Sequence, residues 1–153
     1  MEKPSIEQRI QLLEDKEAVK DITYHYSSYI NQGWNGIKTT PYALSEVFTQ
    51  DAVWESSVMN IQEIGLENII KSLIKETQNV RLGMHSYSNP IIKINGNTAT
   101  GKWLFWVVSK FTKDKINQAF MSQDIQYIKL EEGWRIKEVK LHFGDIIKNR
   151  IQE

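Results

Sequence analysis

The stretch "MHSYSNPIIKINGNTATGKW", residues 84–103, is where the chain changes its period. Up to it, apolar residues recur at helical spacings. From "PIIKI" onward they alternate or run continuously, as in strands. "NGN", residues 95–97, supplies the residues of a tight hairpin turn, so "PIIKI" and "TATGKWLFWVVSKF" read as strand, turn and strand. "INQAFMSQDIQYIKL", "EEG" and "WRIKEVKLHF" repeat the pattern.

Before this meander lie the helices. From Ser5 to about Asn31, Ile6, Ile10, Leu13, Val19, Ile22, Tyr26 and Tyr29 fall mostly at helical spacings. Pro4 suits the start, and Asn31 with Gly33 suits the end. The step from Leu13 to Val19 breaks the period, and Asp15 is a good N-cap residue, so a short leading helix separated from a longer second one is expected there. "PYALSEVFTQD", from Pro41, reads as a short helix burying Leu44, Val47 and Phe48, followed by a brief strand "AVWESSV". "GLENIIKSLIKETQ" is amphipathic, with Leu66, Ile69, Ile70, Leu73 and Ile74 on one face. Helices first and an antiparallel meander after them define an α+β fold, and the absence of a repeat or linker predicts one domain over residues 1–153.

Two features of the strands bear on function. From Trp103 to Val108 both faces are apolar, so helices are expected over one and a second subunit or a closed pocket over the other. In the last strand the apolar parity switches between Ile136 and Val139. A bulge near Lys137 would put Trp134, Ile136, Val139, Leu141 and Phe143 on one face and bend the sheet.

Composition excludes several functions. The 153 residues contain no cysteine, which removes disulfides, thiolate chemistry and cysteine-ligated metals. Lys plus Arg and Asp plus Glu are both 19, a balance that gives no support for a nucleic-acid or anionic-membrane partner. No apolar run approaches the roughly 20 residues that span a bilayer, and "MEKPSIEQRI" has no signal-peptide core. A soluble cytoplasmic protein is expected. His25, His85 and His142 lack a metal-ligand spacing, no phosphate loop is visible, and "KFTKDK" reads as a solvated hairpin end.

The segments "KEAVKDITYHYSSYINQG", "FTQDAVWE", "GLENIIKSLIKE", "MHSYSNPIIKINGNTATGKW" and "WRIKEVKLHF" together resemble the SnoaL-like branch of the nuclear-transport-factor-2-like superfamily. The pattern from "MH" to "GKW" is similar to bile-acid dehydratases and, more distantly, to scytalone dehydratase and dehydrochlorinases. The resemblance implies a cone-shaped curved antiparallel sheet wrapped around the long N-terminal helix, a cystatin-like α+β barrel with an apolar pocket at its open end. It also implies cofactor-independent elimination or isomerisation on a small, cyclic, apolar molecule, often in homo-oligomers (dimers or trimers).

In these eliminating relatives a histidine base pairs with an aspartate near the end of the long helix, and a tyrosine one turn earlier holds the substrate. Carried over, His85 takes the histidine position and Tyr26 the tyrosine. Asn31 falls where the aspartate stands, and Val107 at about the place of a second aspartate. Trp54, Trp103, Phe105, Val107 and His142 are the expected substrate-binding residues, with no metal and no cofactor. A carboxylate orients the imidazole and stabilises its cation, whereas Asn31 can only orient it. Asp145, Glu55 and Asp124 are the candidates for a relocated carboxylate.

The plainer alternatives stay open. His85 can be a hydrogen-bonded histidine at a strand start, Tyr26 a core residue, Tyr24, His25 and Ser28 the helix's other faces, and the tryptophans core or interface. Two functions follow: a dehydratase-like lyase or isomerase with His85 as base, and a non-catalytic ligand-binding or scaffold protein on the same cone.

Overall fold

The computed structural model describes residues 3–111 and 115–150. Helix α1 runs Ile6–Ile30, a 3-10 turn covers Pro41–Glu46, and strands β1 (Phe48–Ser56) and β2 (Ile61–Ile64) precede α2 (Leu66–Thr77). Four long strands follow: β3 (Val80–Asn95), β4 (Thr98–Phe111), β5 (Lys115–Leu130) and β6 (Gly133–Arg150). The tip of "KFTKDK", residues 112–114, lies outside the described residues.

The strands form one curved, unclosed sheet in the order β2-β1-β6-β5-β4-β3, with α1 packed on its concave face against β3 and β6. One pairing departs from the expected antiparallel pattern: β1 joins β6 in parallel. The strand–turn–strand units are where the sequence places them, but β3 is longer than "PIIKI" and carries His85 in its interior. β2 was not anticipated.

α1 is one unbroken helix. It starts at Ser5, whose hydroxyl caps the backbone of Gln8 while the Gln8 side chain returns the bond to Ser5, a capping box. The expected break at Asp15 does not occur. Asp15 turns inward instead, 8% exposed, and its Oδ1 accepts from Lys129 Nζ (2.7 Å) and Trp134 Nε1 (3.0 Å). The interrupted apolar period is a buried polar contact in an intact helix. Towards the N-terminus, Ile6, Ile10 and Leu13 are exposed rather than packed.

Deeper in, Thr23 donates to the Val19 carbonyl at 2.9 Å, so its oxygen accepts from Tyr127 Oη at 2.7 Å. Tyr127 in turn accepts from Trp103 Nε1 at 3.0 Å. This chain of bonds ties α1 to β4 and β5 through the core, where Trp103, Tyr127, Ile125, Ile136 and Val139 are fully buried. Gly101 makes room for it: a Cβ there would lie 2.7 Å from Trp103 Nε1.

The bulge in β6 lies at Lys137. Gln126 faces Glu138 while Tyr127 faces Ile136, leaving Lys137 as the extra residue. Trp134, Ile136, Val139 and Leu141 are accordingly all buried. On β4, Trp103 and Phe105 face the core, whereas Leu104 (53% exposed) and Trp106 (41%) lie on the outer face, where Trp106 stacks on Phe120.

Candidate functional site

The concave side of the sheet, closed by α1 and α2, encloses a cavity of about 430 Å³. Alternate residues of each strand reach it: His85 on β3, Phe105 and Val107 on β4, Ala119, Met121 and Gln123 on β5, and Leu141 and Phe143 on β6. Tyr26 and Ile30 of α1, Trp54 of β1 and Ile69, Leu73 and Glu76 of α2 are among the other residues of its wall.

His85 is positioned by the end of α1. Asn31 caps that helix in an extended conformation, and Gln32 then pairs with Gly83 in both directions, at 3.0 and 2.9 Å. Gly33 permits the approach, because a Cβ there would lie 2.3 Å from the Arg81 carbonyl oxygen. The pairing sets Asn31 beside His85. Asn31 Oδ1 accepts the backbone N–H of His85 at 2.7 Å and lies 3.0 Å from its ring Nδ1. Ser27 donates to the His85 carbonyl at 2.5 Å, and the ring stacks on Phe105.

These contacts decide the tautomer. A backbone N–H only donates, so the Asn31 atom facing it is the oxygen. That oxygen only accepts, so Nδ1 carries the hydrogen and Nε2 keeps its lone pair. No carboxylate offsets the cost of burying an imidazolium, and burial lowers the His85 pKa to about 4. The ring is therefore neutral at neutral pH, with Nε2 the nitrogen free to accept a proton.

Tyr26 is buried; its hydroxyl accepts from Trp54 Nε1 at 3.2 Å and neighbours the Tyr87 hydroxyl, whose own proton goes to Gln123. Burial pushes its pKa up to about 12, so it remains a phenol and a donor.

Of the residues expected at the site, His85, Tyr26, Trp54, Phe105 and Val107 line the cavity, and Asn31 touches His85 from behind it. Two expectations are corrected. Trp103 lies beneath the cavity in the core, bonded to Tyr127. His142 points to the exposed face of β6, where its Nε2 is 3.1 Å from Asp124 Oδ2, because the bulge at Lys137 gives the inward parity to Leu141 and Phe143.

The proposed carboxylate relocations fail as well. Glu55 pairs with Lys140, Asp124 with His142, and Asp145 is exposed. Two carboxylates that were not foreseen do border the cavity, Glu63 of β2 and Glu76 of α2. Burial of the Glu76 carboxyl raises its pKa and the charge of Glu63 adds to the shift, while the residue keeps an exposed side that places it at the opening. Its spacing from Ile69 and Leu73 put it on the buried face of α2, a signal that was legible. Gln123 and Tyr87 were also overlooked, although they share the inward parity of Ile125 and His85.

Among the described residues no group of three or more His, Asp or Glu side chains is placed to hold a metal, and no helix is long and apolar enough to cross a membrane.

A model of the SnoaL-like domain matches residues 11–140. No curated protein matches the chain. Solved structures that resemble it include a protein provisionally named a scytalone dehydratase from Novosphingobium aromaticivorans, with 17% identity, a TM-score of 0.79 and 92% of this chain and 91% of that one covered. The hexachlorocyclohexane dehydrochlorinase LinA-type3 from Novosphingobium barchaimii superposes with a TM-score of 0.80 at 10% identity, over 94% and 96% of the two chains. A nuclear-transport-factor-2-like protein with a cystatin-like fold from Novosphingobium aromaticivorans gives 0.72 at 18% identity, over 90% and 86%. At these identities the likeness is one of fold.

Proposed function

The chain belongs to the SnoaL-like domain family, and from that premise we propose that it is a small-molecule lyase or isomerase acting on a cyclic, largely apolar substrate. His85 is the general base. Its Nε2 takes a proton from carbon. The released electron pair either expels a leaving group from the neighbouring atom or moves onto a conjugated oxygen, whose charge Tyr26 stabilises by donation. Asn31 holds the ring in its reactive tautomer. The observation that carries this reading is a neutral imidazole lining the cavity, with Nδ1 held by Asn31 so that the lone pair is on Nε2.

A base of pKa near 4 is weak, but such a base abstracts a proton beside a carbonyl when donors hold the developing oxyanion. The low value also favours a second reading, a cavity that binds its ligand without turning it over. The two separate on a probe that needs only a base in an apolar pocket. In 5-nitrobenzisoxazole, removal of the ring C–H opens the ring by N–O cleavage and releases a coloured cyanophenolate. Accelerated opening that His85→Gln abolishes, with the fold intact, supports catalysis. Retained ligand in native mass spectrometry and no acceleration supports binding alone.

The outer face of the sheet, with Leu104, Trp106 and Phe120 exposed, is the surface through which we expect copies of the chain to associate. Light scattering tests this, since Trp106→Lys should yield a monomer if that face is the contact.

A further inference from the structure

Gln123 presents a buried donor that the fold does not satisfy. The residue is 1% exposed, its Oε1 accepts from Tyr87 Oη at 2.8 Å, and its Nε2 has no partner. Native proteins rarely leave such a group unpaired, because its desolvation goes uncompensated. Tyr87 is itself fixed, its ring tilted against Phe105 at 4.6 Å and edge-on to Trp103 at 5.8 Å, so the amide cannot swing away without losing its one bond. Gln123 lines the same cavity as His85.

The strand register gives the spacing between them. His85 pairs with Val107 and Gln123 with Trp103, four positions apart on β4. That is roughly 13 Å along the strand before the side chains lean inward. Gln123 sits towards the core, His85 towards the opening.

We propose that Gln123 anchors the ligand by donating from Nε2 to an oxygen acceptor, so that the bound molecule is an apolar fused-ring compound with a carbonyl or nitro-type oxygen on its inner edge, away from the atom that faces His85. The cavity of about 430 Å³ accommodates a framework of that size. This rests on reading the cavity as a small-molecule site but not on catalysis there.

The test uses a matched pair of probes, α-tetralone and tetralin, which differ by one carbonyl oxygen. Gln123→Met keeps the volume and removes the donor. It should weaken α-tetralone roughly ten-fold, the value of one well-made bond to a buried donor, and leave tetralin within about two-fold. The carbonyl stretch of bound α-tetralone should move to lower wavenumber in the unaltered protein and in His85→Gln, and should move back in Gln123→Met. A shift that survives in His85→Gln when ring opening is lost separates the anchor from the base. Equal loss of both probes, no binding of α-tetralone, or an unshifted stretch in the unaltered protein overturns the proposal. If Gln123→Met does not fold, the stretch in Tyr26→Phe decides it: a shift retained there supports the anchor at Gln123, and a shift lost there overturns it.

Discussion

Asn31 Oδ1 accepts two hydrogen bonds from one residue, the backbone N–H and the ring Nδ1–H of His85, at 2.7 and 3.0 Å. β3 is an edge strand, and Asn31 supplies the partner that this amide would otherwise lack. One residue thus ends α1 with its backbone, while its side-chain oxygen satisfies the sheet edge and fixes the imidazole tautomer. An amide does this without charge, so nothing offsets the burial that keeps His85 neutral.

Asn31→Asp should therefore raise the His85 pKa from its value of about 4, by placing a negative charge on the same side of the ring. NMR titration of the ring resonances measures this. An unchanged value would mean that the side chains do not meet.

The neutral histidine also makes stability depend on pH. Its folded pKa lies below the unfolded value of about 6.5, so the unfolded chain binds more protons between the two. Stability should fall as the pH drops from about 6.5 to 4, by at most ~3 kcal/mol. Denaturant midpoints across that window should show the decline, and His85→Gln should flatten it.

Asp15 titrates in a lower window. Burial alone would raise its carboxyl, but the bonds from Lys129 and Trp134 hold it below the usual range. Its stabilisation is complete above the unfolded carboxyl's pKa of about 3.9 and is lost as the pH falls through the lower folded value. Asp15→Asn should cost roughly 1–3 kcal/mol at neutral pH, read as a lowered Tm.

Gly101→Ala should destabilise the fold by roughly 1–3 kcal/mol, the usual cost of overpacking. The added methyl would meet Trp103 Nε1 and Tyr127. Denaturant unfolding measures it, and a neutral effect would contradict the close packing there.

The long-range order of the fold was legible because its signals are local: the change of period at residues 84–103, the turn at Asn95–Gly96–Asn97, and the parity switch that marks the bulge at Lys137. What was misread depends on partners distant in sequence. Asp15 looked like a helix start because its partners, Lys129 and Trp134, come from the β5–β6 hairpin. Trp103 and Phe105 share a strand face, and only the third dimension puts one in the core and the other at the cavity. His142 was placed at the site by resemblance, although the bulge expected at Lys137 already gives the inward parity to Leu141 and Phe143 and turns His142 outward. Glu76 and Gln123 were readable by spacing, but nothing in the sequence marks a carboxylate or an amide as bordering a cavity.

The pH profile of 5-nitrobenzisoxazole ring opening tests the central claim most directly, because it reads the protonation state of the base while it works. The account predicts a rate that is level near neutrality and declines in acid with an apparent pKa near 4, the value burial gives His85, with the acceleration absent in His85→Gln. A decline centred near the ordinary histidine value of about 6.5, or an acceleration that persists in His85→Gln, would contradict it.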